Sequence, residues 1–164
     1  MLVGARLELR PIATGDAAAM AALLEHDAPA TAMTARIPVP CTEAEARTWI
    51  EGASAAPAHT FAIVRRSDGA FLGAVGFVLF PEAAGLGYWV GRRFWGQGYA
   101  TEAASLAVNH ARALGATRLE AETFPENAAS ARVLAKLGFH TIGEVVRDLP
   151  RRGGPRRLLQ WEAT

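Results

Sequence analysis

Hydrophobic and polar positions along this chain switch repeatedly between a period of two and a period near 3.6. Leu7-Glu8-Leu9-Arg10 alternates and stops at Pro11, which predicts a first strand. Asp16 stands as a helix N-cap before Ala17–Glu25, with Met20, Leu23 and Leu24 as its apolar positions. Prolines at 29, 38 and 40 predict irregular backbone between the first and second helices. Thr42 and Glu45 form a capping box that opens a helix through Arg47, Trp49 and Ile50. Phe61–Arg65 and Phe71–Phe80 read as strands joined by the turn Ser67-Asp68-Gly69. Leu86–Val90 is a fourth strand. Ala100, Ala103, Ala104, Ala107, Ala111 and Leu114 then keep helical spacing up to Gly115. Arg118–Phe124 predicts a fifth strand, stopped by Pro125, and Asn127–Leu137 a short helix closed by Gly138. Phe139–Val146 and Leu158–Trp161 are late strands, with Arg151–Arg157 turning between them. This order predicts one α+β domain over residues 1–164, a mixed sheet with helices on both faces.

Composition narrows the picture. The 164 residues are 51% hydrophobic and 20% charged, with a net charge of +1, so no global field draws the chain to nucleic acid or to an acidic membrane. A single cysteine, Cys41, rules out an internal disulfide and points to a reducing compartment. The start of the chain is too short and too charged for a secretory leader, and no apolar run has membrane-spanning length. The expectation is a cytoplasmic protein without a membrane segment. His26, His59, His110 and His140 show no metal-ligand spacing, so no metal is expected.

Candidate chemistry concentrates in Tyr88–Ala104, YWVGRRFWGQGYATEAA. Its start favours a strand and its end a helix. Gly96 and Gly98 at the junction let main-chain N–H groups converge without interference from Cβ atoms. A helix start adds unpaired donors and a positive dipole end. Together they predict a seat for a phosphate or pyrophosphate. The third glycine of a dinucleotide loop is missing, and so is the G-K-[ST] of a triphosphate loop.

Arg93-Phe94-Trp95-Gly96-Gln97-Gly98 instead resembles the R/Q-x-x-G-x-G/A signature of the GNAT superfamily of acyl-CoA-dependent N-acyltransferases. The longer W-G-Q-G-Y-A-T-E-A is similar to the RimJ/RimL-type branch, as is I-P-V-P-x-T-E-x-E-A-R-x-W-I over Ile37–Ile50. Pro125–Phe139 resembles the family's N-x-x-S/A-x-x-x-L/Y-x-K-x-G-F segment. The resemblance covers nearly the whole chain. It implies a GNAT-type fold, a mostly antiparallel sheet whose fourth and fifth strands splay apart, and acetyl-CoA as the acyl donor. It places the pyrophosphate on N–H groups of about Phe94 to Tyr99, flanked by Trp95, Gly96, Gln97, Gly98 and Ala100, with the Thr101 hydroxyl in reach. Arg92 or Arg93 adds charge. Exposed main chain of Trp89 and Val90 would pair with the pantetheine amides, and the Val90 N–H would polarise the thioester carbonyl. Asn127 would hold the pantetheine arm and Ser130 would sit near the thioester sulfur as a proton donor. Many relatives place a tyrosine seven residues after the Asn; here that position is Leu134. Either Ser130 does its work or the thiolate leaves unaided.

A general base for the amine is sought among Glu120, Glu122, Glu82 and Glu8, with Glu120 slightly preferred over Glu122. The branch likeness favours a protein or peptide N-terminal amine as acceptor, bound by a monomer or homodimer. A small-molecule amine, or a non-catalytic acyl-CoA-binding module, are the rival readings. Residues 28–40 form the acceptor wall in this reading. The four arginines of Arg151–Arg157 read as a solvated hairpin tip or a patch for an acidic peptide or RNA.

Overall fold

The computed structural model describes residues 1–164. Its eight strands are β1 (Leu2–Val3), β2 (Leu7–Pro11), β3 (Ala58–Arg65), β4 (Phe71–Phe80), β5 (Ala83–Val90), β6 (Arg118–Thr123), β7 (His140–Leu149) and β8 (Gly154–Ala163). They form one sheet in the order β1-β2-β3-β4-β5-β6-β8-β7. Every neighbouring pair is antiparallel except β5 and β6. The helices are α1 (Ala17–Leu24), α2 (Ala28–Ala32), α3 (Glu43–Ala53), α4 (Tyr99–Ala113) and α5 (Ala128–Lys136).

Alternation along the central strands builds two cores. Leu7, Leu9, Phe61, Ile63, Phe77, Leu86, Leu119 and Ala121 join the α4 alanines Ala103, Ala104, Ala107 and Ala111 on one face. Ala62, Val64, Ala74 and Trp89 point to the other and meet Ala17, Met20, Leu24, Ala46 and Ile50 of α1 and α3. The predicted mixed sheet with helices on both faces is thus the observed one. The alanine stripe of α4 lets that helix approach the sheet closely.

The sheet is split. β5 and β6 are in register only at Ala83–Arg118, Ala84–Leu119 and Gly85–Glu120. Beyond Gly85 the strands run on, to Val90 and Thr123, without pairing. The closed end is pinned by the Glu82 carbonyl, which accepts from the N–H groups of Thr117 and Arg118, both at 3.0 Å. The open end leaves a wedge between the two strands.

Several elements differ from the expectation. Pro29 does not mark the irregular backbone that its residue type predicts; it sits in the first turn of α2, where its missing N–H costs nothing. The Asp27 carboxylate caps that helix by accepting from the Ala30 N–H at 3.1 Å. Asp16 makes no side-chain cap to α1; it accepts two hydrogen bonds from Arg10 and one from the Ala13 N–H. The late strands reach further than their apolar residues, so the turn shrinks to Pro150–Gly153. No helix is long and apolar enough to cross a membrane.

Candidate active site

The wedge is lined by main chain from β5. A strand directs successive peptide groups to opposite neighbours. The Trp89 carbonyl oxygen lies against Gly73 of β4, and the Gly91 N–H donates to the Leu72 carbonyl at 2.8 Å. The N–H and carbonyl of Val90 therefore turn the other way, into the wedge. The Val90 carbonyl accepts from Trp95 Nε1 at 2.7 Å, so the N–H remains as the open donor. Tyr88, two residues back, directs its own main chain to the same side. Val90 stands where the sequence placed it, but Trp89 does not: its main chain faces β4 and its buried indole packs on the α1–α3 side. Alternation puts Tyr88 in its place.

The chain leaves β5 through a tight turn, Arg92–Phe94, and enters α4 at Tyr99. That turn satisfies the first two of the expected donors. The Phe94 N–H bonds the Gly91 carbonyl at 2.9 Å and the Trp95 N–H the Arg92 carbonyl at 3.1 Å. The Phe94 ring is buried in the core, with Arg93 stacked over it at 4.8 Å. From Gly96 onward the picture changes. The main-chain N–H groups of Gly96, Gln97, Gly98, Tyr99, Ala100 and Thr101 donate to nothing in the protein. Gly96 and Gly98 take φ values of 73° and 81°, a left-handed backbone that only glycine enters cheaply. Gly98 is also the N-cap of α4 and offers no side chain to cap it. The result is a run of bare donors at a positive helix end, suited to a dianionic group. Arg92 leans to Asp27, with 3.6 Å between their charged atoms.

A strut the sequence did not announce holds this seat. The Glu102 carboxylate, in the first turn of α4, accepts from the N–H groups of Arg6 at 2.8 Å and Leu7 at 3.1 Å. It also accepts from Arg6 Nε at 2.9 Å, while Arg6 Nη1 donates to the Gln97 carbonyl at 2.8 Å. Burial alone would raise the Glu102 carboxyl, but the Arg6 and Leu7 hydrogen bonds and the Arg6 charge hold it below the ordinary range. A carboxyl depressed in the folded state stabilises the fold above its unfolded pKa, and that contribution fades as pH falls through the folded value. Glu102→Gln is therefore expected to lower the thermal midpoint at pH 7, with the difference shrinking below about pH 4. Thermal melts of both proteins across that range check it.

Across the wedge, α5 begins at Asn127. Its side-chain oxygen accepts from the Ser130 N–H at 3.1 Å, an N-cap, and its Nδ2 reaches the Met33 carbonyl at 3.4 Å. Ser130 Oγ lies 2.6 Å from the Tyr88 hydroxyl. The structure thus brings Ser130, Asn127 and β5 together, as expected, and adds Tyr88, which no spacing in the sequence marks. Leu134 is fully buried and faces the core. Between α4, α5 and the turn after β1 runs a groove of about 590 Å³, lined among others by Gly4, Gly98, Thr101, Glu102, Ser105 and Lys136.

Of the carboxylates offered as bases, two are paired with arginines and two lie away from the wedge. Glu120 pairs with Arg118 at 3.0 Å and lies at the closed end of the wedge, opposite Gly85. Three residues of strand, about 10 Å, separate that level from Tyr88, so the structure does not bring Glu120 to Ser130. Glu122 is held by Arg147 at 2.6 Å. Glu82 belongs to the β4–β5 turn and Glu8 to β2, on the far side of β3 and β4 from the wedge. Cys41 is fully buried, and that burial pushes its thiol up to about 11, against the thiolate form.

The turn after β7 is not a free tip. Arg152 donates from Nε to the Thr34 carbonyl at 2.7 Å. Its Nη2 donates to the carbonyls of Thr31 at 3.0 Å and Ile37 at 2.9 Å, and to Thr34 Oγ1 at 3.0 Å. Arg151 faces Glu45 at 3.7 Å, Arg156 Glu126 at 2.9 Å and Arg157 Glu144 at 3.6 Å. The segment after α1 is therefore tied to the hairpin by Arg152, to α5 by Asn127 and to the donor turn by Arg92.

Comparison with known proteins agrees with this architecture. The model of the acetyltransferase (GNAT) domain matches residues 6–140. An uncharacterized N-acetyltransferase of Bacillus licheniformis, p20, is 32% identical over 101 residues, 59% of this chain and 56% of its own. The chain spans about half the length of such relatives. The Mycobacterium smegmatis RimJ structure in complex with CoA-disulfide superposes with a TM-score of 0.82 at 28% identity, covering 96% of this chain and 81% of that one. The ribosomal-protein-S5-alanine acetyltransferase of Vibrio fischeri shares the fold, with a TM-score of 0.79 at 22% identity over 98% of this chain and 94% of its own. With most of its length matched by the family model, and with the split sheet and bare helix start described above, the chain belongs to the GNAT acetyltransferase family.

Proposed function

We propose that this protein transfers an acetyl group from acetyl-CoA to a primary amine, and that the amine is the N-terminus of a protein or peptide. The observation that carries the first part is the run of unpaired N–H groups from Gly96 to Thr101, set beside a wedge into which Val90 directs another. Bound acetyl-CoA supplies an activated acyl carbonyl and a thiolate leaving group, which a neutral amine displaces as the C–N bond forms and the C–S bond breaks. The six N–H groups hold its pyrophosphate, each charge-assisted bond contributing about 1.5–3 kcal/mol. Thr101, Ser105 and Lys136 in the α4–α5 groove suit the 3′-phosphate. The main chain of Tyr88 and Val90 pairs with the pantetheine arm as an added strand would, and Asn127 stands at its edge. The Val90 N–H polarises the acyl carbonyl. No carboxylate of the protein is assigned as base; water takes the amine proton.

The likeness to RimJ favours a peptide amine. Titration calorimetry with acetyl-CoA tests the donor; absence of binding at millimolar ligand would discard the reading. Incubation with labelled acetyl-CoA and separate peptide and metabolite pools tests the acceptor. Label entering peptides alone supports the proposal, and label entering only small amines overturns its second half.

A further inference from the structure

Ser130 has one proton and must direct it at the sulfur if it is to assist thioester cleavage. In this structure its Oγ is 2.6 Å from the Tyr88 hydroxyl, and either oxygen can be the donor. If the serine donates to the tyrosine, its proton is lost to the wedge. If the tyrosine donates, the serine proton is free to point elsewhere. A phenol is a better donor than an alcohol, and this favours the second arrangement. The Ser130 carbonyl, 3.4 Å from the Tyr88 hydroxyl, is a second acceptor for the same proton, but the Oγ contact is shorter by 0.8 Å. The shorter contact is the one assigned to the tyrosine proton.

We propose that Tyr88 is a positioning residue for thioester cleavage: its hydroxyl, donating to Ser130 Oγ, turns the serine proton toward the coenzyme sulfur. This rests on the acetyltransferase reading above. It also accounts for Leu134. The chain places no hydroxyl at that point of α5 and brings one from β5 instead, across the wedge. The Asn127 cap fixes the serine main chain from the other side.

The pair orients and does not titrate. Burial pushes the Tyr88 hydroxyl up to about 12, against a smaller opposing effect of the Ser130 bond. A coenzyme thiol near 8.5 is the stronger acid by more than three powers of ten. The electron pair of the broken C–S bond therefore stays on sulfur, which receives a hydrogen bond and leaves as thiolate. The amine proton goes to water, and nothing moves along the Tyr88–Ser130 pair.

The test is the acidity of the bound thiol together with steady-state kinetics. Coenzyme A is titrated on the protein, and the thiolate is followed by its ultraviolet absorbance. In the wild type the bound thiol should ionise below its free value of about 8.5. Tyr88→Phe keeps the ring and removes the hydroxyl. It should raise that pKa by about one unit and lower kcat about 10- to 100-fold, with the acetyl-CoA dissociation constant within about threefold. Ser130→Ala should do the same, and the double variant should be no worse than Ser130→Ala alone. A bound-thiol pKa and kcat unmoved by Tyr88→Phe, or additive losses in the double variant, would overturn the proposal while leaving the acetyltransferase reading standing. Failure of the wild type to bind coenzyme A would overturn both.

Discussion

Replacing Gly98 with valine is expected to weaken acetyl-CoA binding at least about 100-fold, or about 2.7 kcal/mol, the equivalent of one to two charge-assisted hydrogen bonds. Two effects act together. The residue sits at φ 81°, where a side chain costs about 1–2 kcal/mol. A Cβ there would meet only Arg6 Nη2, at 3.3 Å, and otherwise project into open space beside the free N–H groups. Valine would thus both shift the donors and cover them. Gly115→Ala is the control. Gly115 has φ 103° after α4 with nothing near a built Cβ. It should carry a backbone penalty of the same kind, smaller because alanine is not β-branched, and leave the dissociation constant within about twofold. Calorimetry on both variants, with thermal melts to confirm folding, separates strain from loss of the seat. Equal affinities for Gly98→Val and wild type would mean the pyrophosphate binds elsewhere.

Arg152→Ala is the second large effect. The guanidinium bonds three main-chain carbonyls and a hydroxyl of the segment after α1, over distances of 2.7–3.0 Å. Removing it leaves those acceptors without a charged donor and should cost about 2–4 kcal/mol of stability. If residues 28–40 wall the acceptor site, the acceptor KM should rise about tenfold while acetyl-CoA affinity changes less than twofold. Arg152→Lys should recover only part of the loss, because an ammonium lacks the second nitrogen with which the guanidinium reaches several acceptors at once. Burial holds the Arg152 pKa below the usual guanidinium value, with Arg151 and Arg156 adding repulsion, yet the group stays charged at any working pH. The effect should therefore be flat from pH 6 to 9. An acceptor KM that does not move, with hydrogen exchange faster in residues 28–40, would place the acceptor elsewhere.

Much of this architecture was legible in the residues. The alternation of β2 and the alanine stripe of α4 follow from elementary periodicity, and β3 to β5 from apolar runs bounded by turn residues. The paired glycines signalled the left-handed turn and the unpaired N–H groups at the start of α4. The boundaries of that seat were not legible, since Phe94 and Trp95 have their N–H groups taken by a local turn that no residue type signals. Trp89 was misassigned by one residue, and in a strand one residue reverses the direction of every main-chain group. Tyr88, Glu102 and Arg152 were missed for a common reason. Each acts on a partner far along the chain, and one sequence contains periodicity but not distance. Glu120 was favoured because it shares a strand with the cleft; its register with Gly85 places it at the wrong end.

The bond from Trp95 to the Val90 carbonyl has an optical consequence. Of the four tryptophans, Trp89 and Trp161 are 7% and 9% exposed, whereas Trp95 is 46% exposed and stands one residue before the seat. An indole fixed at one end and wet at the other emits according to what displaces its water. Its fluorescence should therefore follow occupancy of the neighbouring donors without any label, and a Trp95→Phe protein should be silent to the same titration.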